Sequence, residues 1–234
     1  MSAPLSPNLT PALLRAYSSA ALQNARELLA EASLLHTHGH MARAYFLAVA
    51  SIEETGKGLQ AFDAQKRNLS DPAVTAKLKV GMGKHAQKIN YAFSAWIESS
   101  QNAREAIETA IDLMTHLRRG REPSMYSELR TDPDRAQLPR DIVRAEAARD
   151  CVSLARNCVA HAISRITDKD PPPVTRAQDR LFTMKSAQFQ KILNTADFWW
   201  YYLARRESGN VEWAEAVLGY EKEHVRPGTL FKNS

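Results

Sequence analysis

The chain has 234 residues, 44% of them hydrophobic and 24% charged, with a formal net charge of +5. That balance suits an ordinary folded chain, and no apolar run approaches the roughly 20 residues a membrane span needs. Glycine is scarce, at 9 residues, and alanine frequent, which favours helix over sheet.

Met1–Asn8 contains Pro and Ser and lacks the apolar core of a signal peptide. Thr10 followed by Pro11 marks the start of a first helix, with an apolar face from Leu13 and Leu14 through Tyr17, Ala21 and Leu28 to Leu35. His36, His38 and His40 alternate at its end. With no carboxylate or cysteine beside them they read as an interhelix turn rather than a metal site. A second helix follows, from about Ala42 to Asn68. Ala44, Leu47, Ala48, Ser51, Ile52, Thr55, Leu59 and Phe62 recur on it at three- and four-residue steps, a small-residue stripe that lets a neighbouring helix come close. Glu53, Glu54 and Lys57 fall at its edge. Glu53 and Lys57 stand four apart in the favourable order, which on a surface is worth only about 0.3–0.5 kcal/mol.

Ser70-Asp71-Pro72 breaks the pattern. A long helix is expected over about Lys84–Leu117, striped by Ile89, Phe93, Trp96, Ile97 and Ile107. The chain then turns irregular over Arg118–Arg140, where Pro123, Pro133 and Pro139 fall. A further helix spans about Asp141–Ile166 and is stopped by Pro171-Pro172-Pro173. On it Cys151 and Cys158 lie about 10.5 Å apart along the axis, too far to bond, and free thiols suit a reducing cytoplasm. An aromatic-rich helical region, about Arg176–Arg205, reads as core, or as a cover or dimer contact. A shorter helix, Val211–Glu223, precedes the tail. No strand alternation is evident. The expectation is an all-α protein: a disordered start over 1–9, an antiparallel four-helix bundle over 10–170 and a helical extension over 171–234.

The charge is unevenly placed. Between Lys57 and Lys88 seven Lys or Arg stand against Asp63 and Asp71, a surplus equal to that of the whole chain. Lys77, Lys79, Lys84 and Lys88 could hold a polyanion such as RNA, or simply keep a loop solvated.

A phosphate loop is excluded. Ser51 stands where its first glycine belongs, Gly58 replaces the hydroxyl residue after Lys57, and the stretch lies inside a helix. No metal-ligand motif or serine elbow is present, and nothing calls for a cofactor. Two arginine motifs remain: Arg121 followed five positions on by Tyr126, and Arg156-Asn157 followed by His161. An arginine can grip phosphate, and histidine as a residue type can move the proton of a ribose 2′-hydroxyl near neutral pH. Tyrosine ordinarily ionises near pH 10 and is a poor base. Five positions turn about 140° on a helix, so Arg156 and His161 flank the cysteine stripe without sharing a face.

Ser51-Ile52-Glu53-Glu54-Thr55-Gly56-Lys57 resembles the Glu-Glu-x-Gly-Lys signature of the AbiV abortive-infection proteins, a branch of the HEPN superfamily. His85-Ala86-Gln87-Lys88 resembles that family's His-x-x-Lys segment, and Arg121 through Tyr126 its Arg-x4-Tyr segment; the likeness covers about Leu13–Ile166. It implies a helical bundle that dimerises and defends against phage, by metal-independent cleavage of RNA as in many relatives. Any neutralising or phage-derived protein partner is not identified by it. The alternative is a non-catalytic helical interaction module, or a toxin subunit controlled by a partner protein. The resemblance favours Arg121 and Tyr126, with His85 as a candidate proton carrier, whereas Arg156, Asn157 and His161 match the superfamily's Arg-x4–6-His pattern literally. Both sets stand as candidates.

Overall fold

The computed structural model describes residues 8–99, 122–131, 134–167, 169–209 and 212–231. Arg121 and the expected helix beyond Ser99 lie outside them, as does most of the expected disordered start. The chain divides into two compact units, one of residues 1–65 and 78–171, the other of Lys66–Lys77 and Pro172–Ser234. The second unit thus takes in a segment that the sequence assigned to the bundle.

In the first unit, α1 (Pro11–Thr37) begins as expected, with the Thr10 hydroxyl accepting from the Leu13 N–H at 3.1 Å and Pro11 in the first turn. It ends at Gly39, whose φ of 81° is the left-handed conformation that closes a helix without a Cβ penalty. His38 Nδ1 turns back onto the Leu34 carbonyl, 2.8 Å away, within the expected interhelix turn. α2 (Met41–Ala64) returns antiparallel to α1. The Ser51 hydroxyl donates to the Ala25 carbonyl at 2.7 Å, and the Ser18 hydroxyl to the Gly58 carbonyl at 2.8 Å. These contacts need small residues: a Cβ on Gly58 would come within 2.9 Å of Leu22 Cγ.

α2 is buried well beyond one stripe, because α1, α4 (His85–Ser99) and α6 (Ala145–Ile166) all pack on it. Ala48, Val49 and Ile52 meet Ile89, Phe93, Ala148, Cys151 and Ala155 in the main core. Along α2, the polar partners of α4 and α6 advance in the same direction as α2 itself: Glu53 meets His85 and Asp63 meets Tyr91, while Tyr45 meets Cys151 and Asp63 meets Arg165. α6 therefore runs in the same sense as α2, as the second and fourth helices of an antiparallel bundle do, and α4 crosses α2 where Gly56 meets Lys88. α3 (Pro72–Gly83) lies in the link between α2 and α4. Asp71, which reads as a breaker, starts α3 by accepting from the Ala73 N–H at 2.8 Å, with Pro72 at the first position.

The irregular stretch contains a two-stranded antiparallel hairpin, β1 (Glu128–Thr131) with β2 (Asp134–Gln137), Glu128 opposite Gln137. The short helix α5 (Pro139–Ile142) then precedes α6, so the expected single helix from Asp141 is split at Val143. Both cysteines are free and buried on α6, and burial pushes the Cys158 thiol up to about 12.

In the second unit the expected aromatic helix is three: α7 (Arg176–Thr183), α8 (Ser186–Leu193) and α9 (Ala196–Glu207). α10 (Trp213–Tyr220) and a π-helical turn, Glu221–Val225, follow. Ile192, Phe198, Tyr201, Val217 and Tyr220 form their core. The buried Asp197 carboxylate accepts from the Tyr220 hydroxyl at 2.9 Å and the Phe231 N–H at 2.8 Å, which ties down the chain's last described residues. Among the described residues no helix is long and apolar enough to cross a membrane.

Candidate functional site

Glu53, Gly56, Gln60 and Asp63 follow one another at steps of three, four and three, so they form one face of α2. The first two turns of α4 lie on that face. Glu53 Oε2 is 2.7 Å from His85 Nδ1 and 2.8 Å from Lys88 Nζ, and Lys88 Nζ is 3.4 Å from the same ring nitrogen. Gln60 Nε2 donates to the Gln87 carbonyl at 3.4 Å, and the Tyr91 hydroxyl to Asp63 Oδ2 at 2.7 Å. Arg165 of α6 grips both Asp63 oxygens at 3.2 Å.

Gly56 is what makes this approach possible. A Cβ there would run into the Lys88 carbonyl oxygen and lie 2.7 Å from its carbon. Both are backbone atoms with no freedom to swing aside, so only glycine lets α4 sit this low on α2.

Burial separates the three charged groups. The Glu53 and Lys88 side chains are each 6% exposed, while the His85 side chain is 55% exposed. Burial alone would raise the Glu53 carboxyl, but hydrogen bonds from Lys88 and His85, with their charges, hold it below its ordinary value. Glu53 therefore stays a carboxylate. A carboxylate only accepts, so Glu53 takes a hydrogen bond from the imidazole Nδ1–H, the role carboxylates play behind many working histidines.

The expected pairing of Glu53 with Lys57 is not what forms. Glu53 turns to α4, and Lys57 pairs with Glu54 three residues away, both being half-buried. Burial pulls the Lys57 ammonium down, and the hydrogen bond and charge of Glu54 outweigh it, so its ionisation is raised.

The four lysines expected on a basic surface part company. Lys88 is buried against Glu53 and is not on a surface at all. Lys77 donates to the Met184 carbonyl at 2.9 Å and lies over the Phe182 ring inside the second unit. Burial, with Arg67 nearby, lowers its ionisation. Lys79 and Lys84 are exposed. Of the arginine motifs, Tyr126 is 59% exposed in a turn where its N–H donates to the Glu122 carbonyl at 3.0 Å. Arg156 and Asn157 are exposed on α6 and His161 is half-buried. Gln60 and the Asp63–Tyr91–Arg165 link escaped the sequence reading, though the 53/56/60/63 spacing carries their signal.

Among the described residues no group of three or more His, Cys, Asp or Glu side chains could hold a metal ion. No curated protein and no solved structure matches the chain. A family model described as AbiV matches residues 13–160, which includes the whole Glu53–Lys57 signature, His85 and Lys88. That match spans more than half of the sequence, and the chain belongs to the AbiV family of HEPN proteins.

Proposed function

We propose that this chain is an abortive-infection effector that cleaves RNA by proton transfer, with His85 as the general base. Membership of the AbiV family suggests an abortive-infection-type function. The observation that supports the catalytic part is the buried Glu53 carboxylate 2.7 Å from Nδ1 of an imidazole that is itself half exposed.

In this reading Nε2 of His85 takes the proton of a ribose 2′-hydroxyl. The 2′-oxygen attacks the adjacent phosphorus and the P–O5′ bond breaks, the 5′-oxygen taking a proton from solvent, which gives a 2′,3′-cyclic phosphate and a 5′-hydroxyl end. The growing charge on phosphate calls for a cation. Lys84 precedes His85 and is exposed, and Arg121 of the family's arginine segment would serve in the homodimer that the resemblance implies. Tyr126 would orient phosphate by hydrogen bonding rather than act as base.

One observation favours a second reading, a non-catalytic interaction module. Lys88 and Gly56 seat α4 on α2, so the signature also works as a packing device. The two readings separate when purified protein is incubated with total RNA in EDTA and the ends are analysed. Cyclic-phosphate ends that vanish in a folded His85→Ala protein support the enzyme; intact RNA supports the module.

A further inference from the structure

The part of the second unit beyond Pro171, outside the matched family region, carries a groove of about 430 Å³ between α7 and the α10–π-turn segment, a volume in the range of ligand sites. We propose that it binds the phosphate of a nucleotide, either free or at the 5′ end of an RNA strand.

Four cations line it: Arg176 and Arg180 from α7, Lys222 and Arg226 from the π-helical turn and the residue after it. Arg176, Arg180 and Lys222 are exposed and make no ion pair among the described residues. Arg226 is oriented by Glu221, its Nε and Nη2 donating to the two carboxylate oxygens at 2.9 and 3.1 Å. Arg176 and Arg180 stand four apart on one helix face, where like charges repel. A phosphate between them turns that repulsion into a two-armed grip.

Two carboxylates, Glu215 and Glu223, also line the groove. Glu223 is held by the Tyr201 hydroxyl at 3.0 Å. They would oppose a bare phosphate. They suit a nucleotide, whose ribose hydroxyls and base N–H groups are donors placed a few ångströms from its phosphate. The wall itself is the π-helical turn, a form that occurs mostly as short insertions and often at functional sites.

Calorimetry on the full chain tests this with four probes: inorganic phosphate, guanosine 5′-monophosphate, and two 2′-O-methyl RNA hexamers, one carrying a 5′-phosphate and one a 5′-hydroxyl. The nucleotide or the 5′-phosphorylated hexamer should bind more tightly than inorganic phosphate. Binding of the free nucleotide identifies that source; binding of the phosphorylated hexamer alone identifies the RNA end. Arg176→Gln/Arg180→Gln should weaken the bound probe at least tenfold with unchanged melting, and Lys222→Gln, on a different element, should weaken it independently. Failure of every probe to bind at millimolar concentration, or binding that both variants leave intact, overturns the proposal.

Discussion

Glu53, buried on α2, holds Nδ1 of His85, exposed at the start of α4, at 2.7 Å. The carboxylate is shielded and the imidazole is not, so the pair has a fixed end and a working end. Lys88 occupies the carboxylate from its other side at 2.8 Å, and Gly56 lets the Lys88 backbone descend far enough for both contacts to form.

Gly56→Ala should be strongly destabilising. Alanine is worth about 1 kcal/mol more than glycine inside a helix. Here its methyl group meets the Lys88 carbonyl, and overpacking against backbone costs about 1–3 kcal/mol or more. Thermal melts should show a lower Tm despite the gain in helix propensity. An unchanged or higher Tm would mean that α4 can lift away freely.

Lys88→Met should cost about 3–5 kcal/mol, because it removes the buried ammonium paired with the buried Glu53 carboxylate. Lys79→Met, at an exposed position of the same basic segment, should stay within about 0.5 kcal/mol. Urea unfolding of both variants makes the comparison. Equal, small losses would put Lys88 on the surface where the sequence first suggested it.

Acid should expose the same arrangement. The Glu53 carboxyl is held below its ordinary value near 4.5 in the folded chain. Its contribution is therefore fully present above the unfolded value and is lost as pH falls through the folded one. Wild-type stability should be level in this respect from pH 7 to about 5 and fall below about pH 4, and Glu53→Gln should flatten that fall. Stability curves from pH 3 to 7 read it directly; identical acid limbs would remove Glu53 from the account.

Much of this was legible in the residues. Thr10-Pro11, the histidine-rich turn and Pro171–Pro173 marked element ends, and the stripe of Ala44, Ala48, Ser51, Ile52, Thr55, Leu59 and Phe62 marked residues that α2 buries. The partners of the Glu53–Lys57 signature were not legible. Glu53 and Glu54 both lie within reach of Lys57, and only the approach of α4 decides which one it keeps. Lys88 sits in a lysine-rich stretch that reads as surface, and its burial depends on the contact Gly56 permits. The hairpin strands Glu128–Thr131 and Asp134–Gln137 are four residues each and mostly polar, too short to show alternation. The breaks between α7, α8 and α9 carry no Gly or Pro to announce them.

RNA affinity should depend on Lys79 and Lys84 rather than on all four lysines. Each phosphate contact on a single strand contributes about 0.7 to the slope of log affinity against log salt. Lys79→Gln/Lys84→Gln should therefore reduce the slope by about 1.4 in filter binding with uncleavable RNA. A slope unchanged by the double variant would take this surface out of RNA binding.

The most direct measurement is the cleavage rate of a labelled RNA in EDTA, compared among the wild-type chain and folded His85→Ala, His161→Ala and Arg156→Ala proteins. The account predicts wild-type cutting that falls at least a hundredfold in His85→Ala, the lower bound for losing a general base, and survives in the other two. Full activity in His85→Ala, or loss confined to His161→Ala and Arg156→Ala, would contradict it.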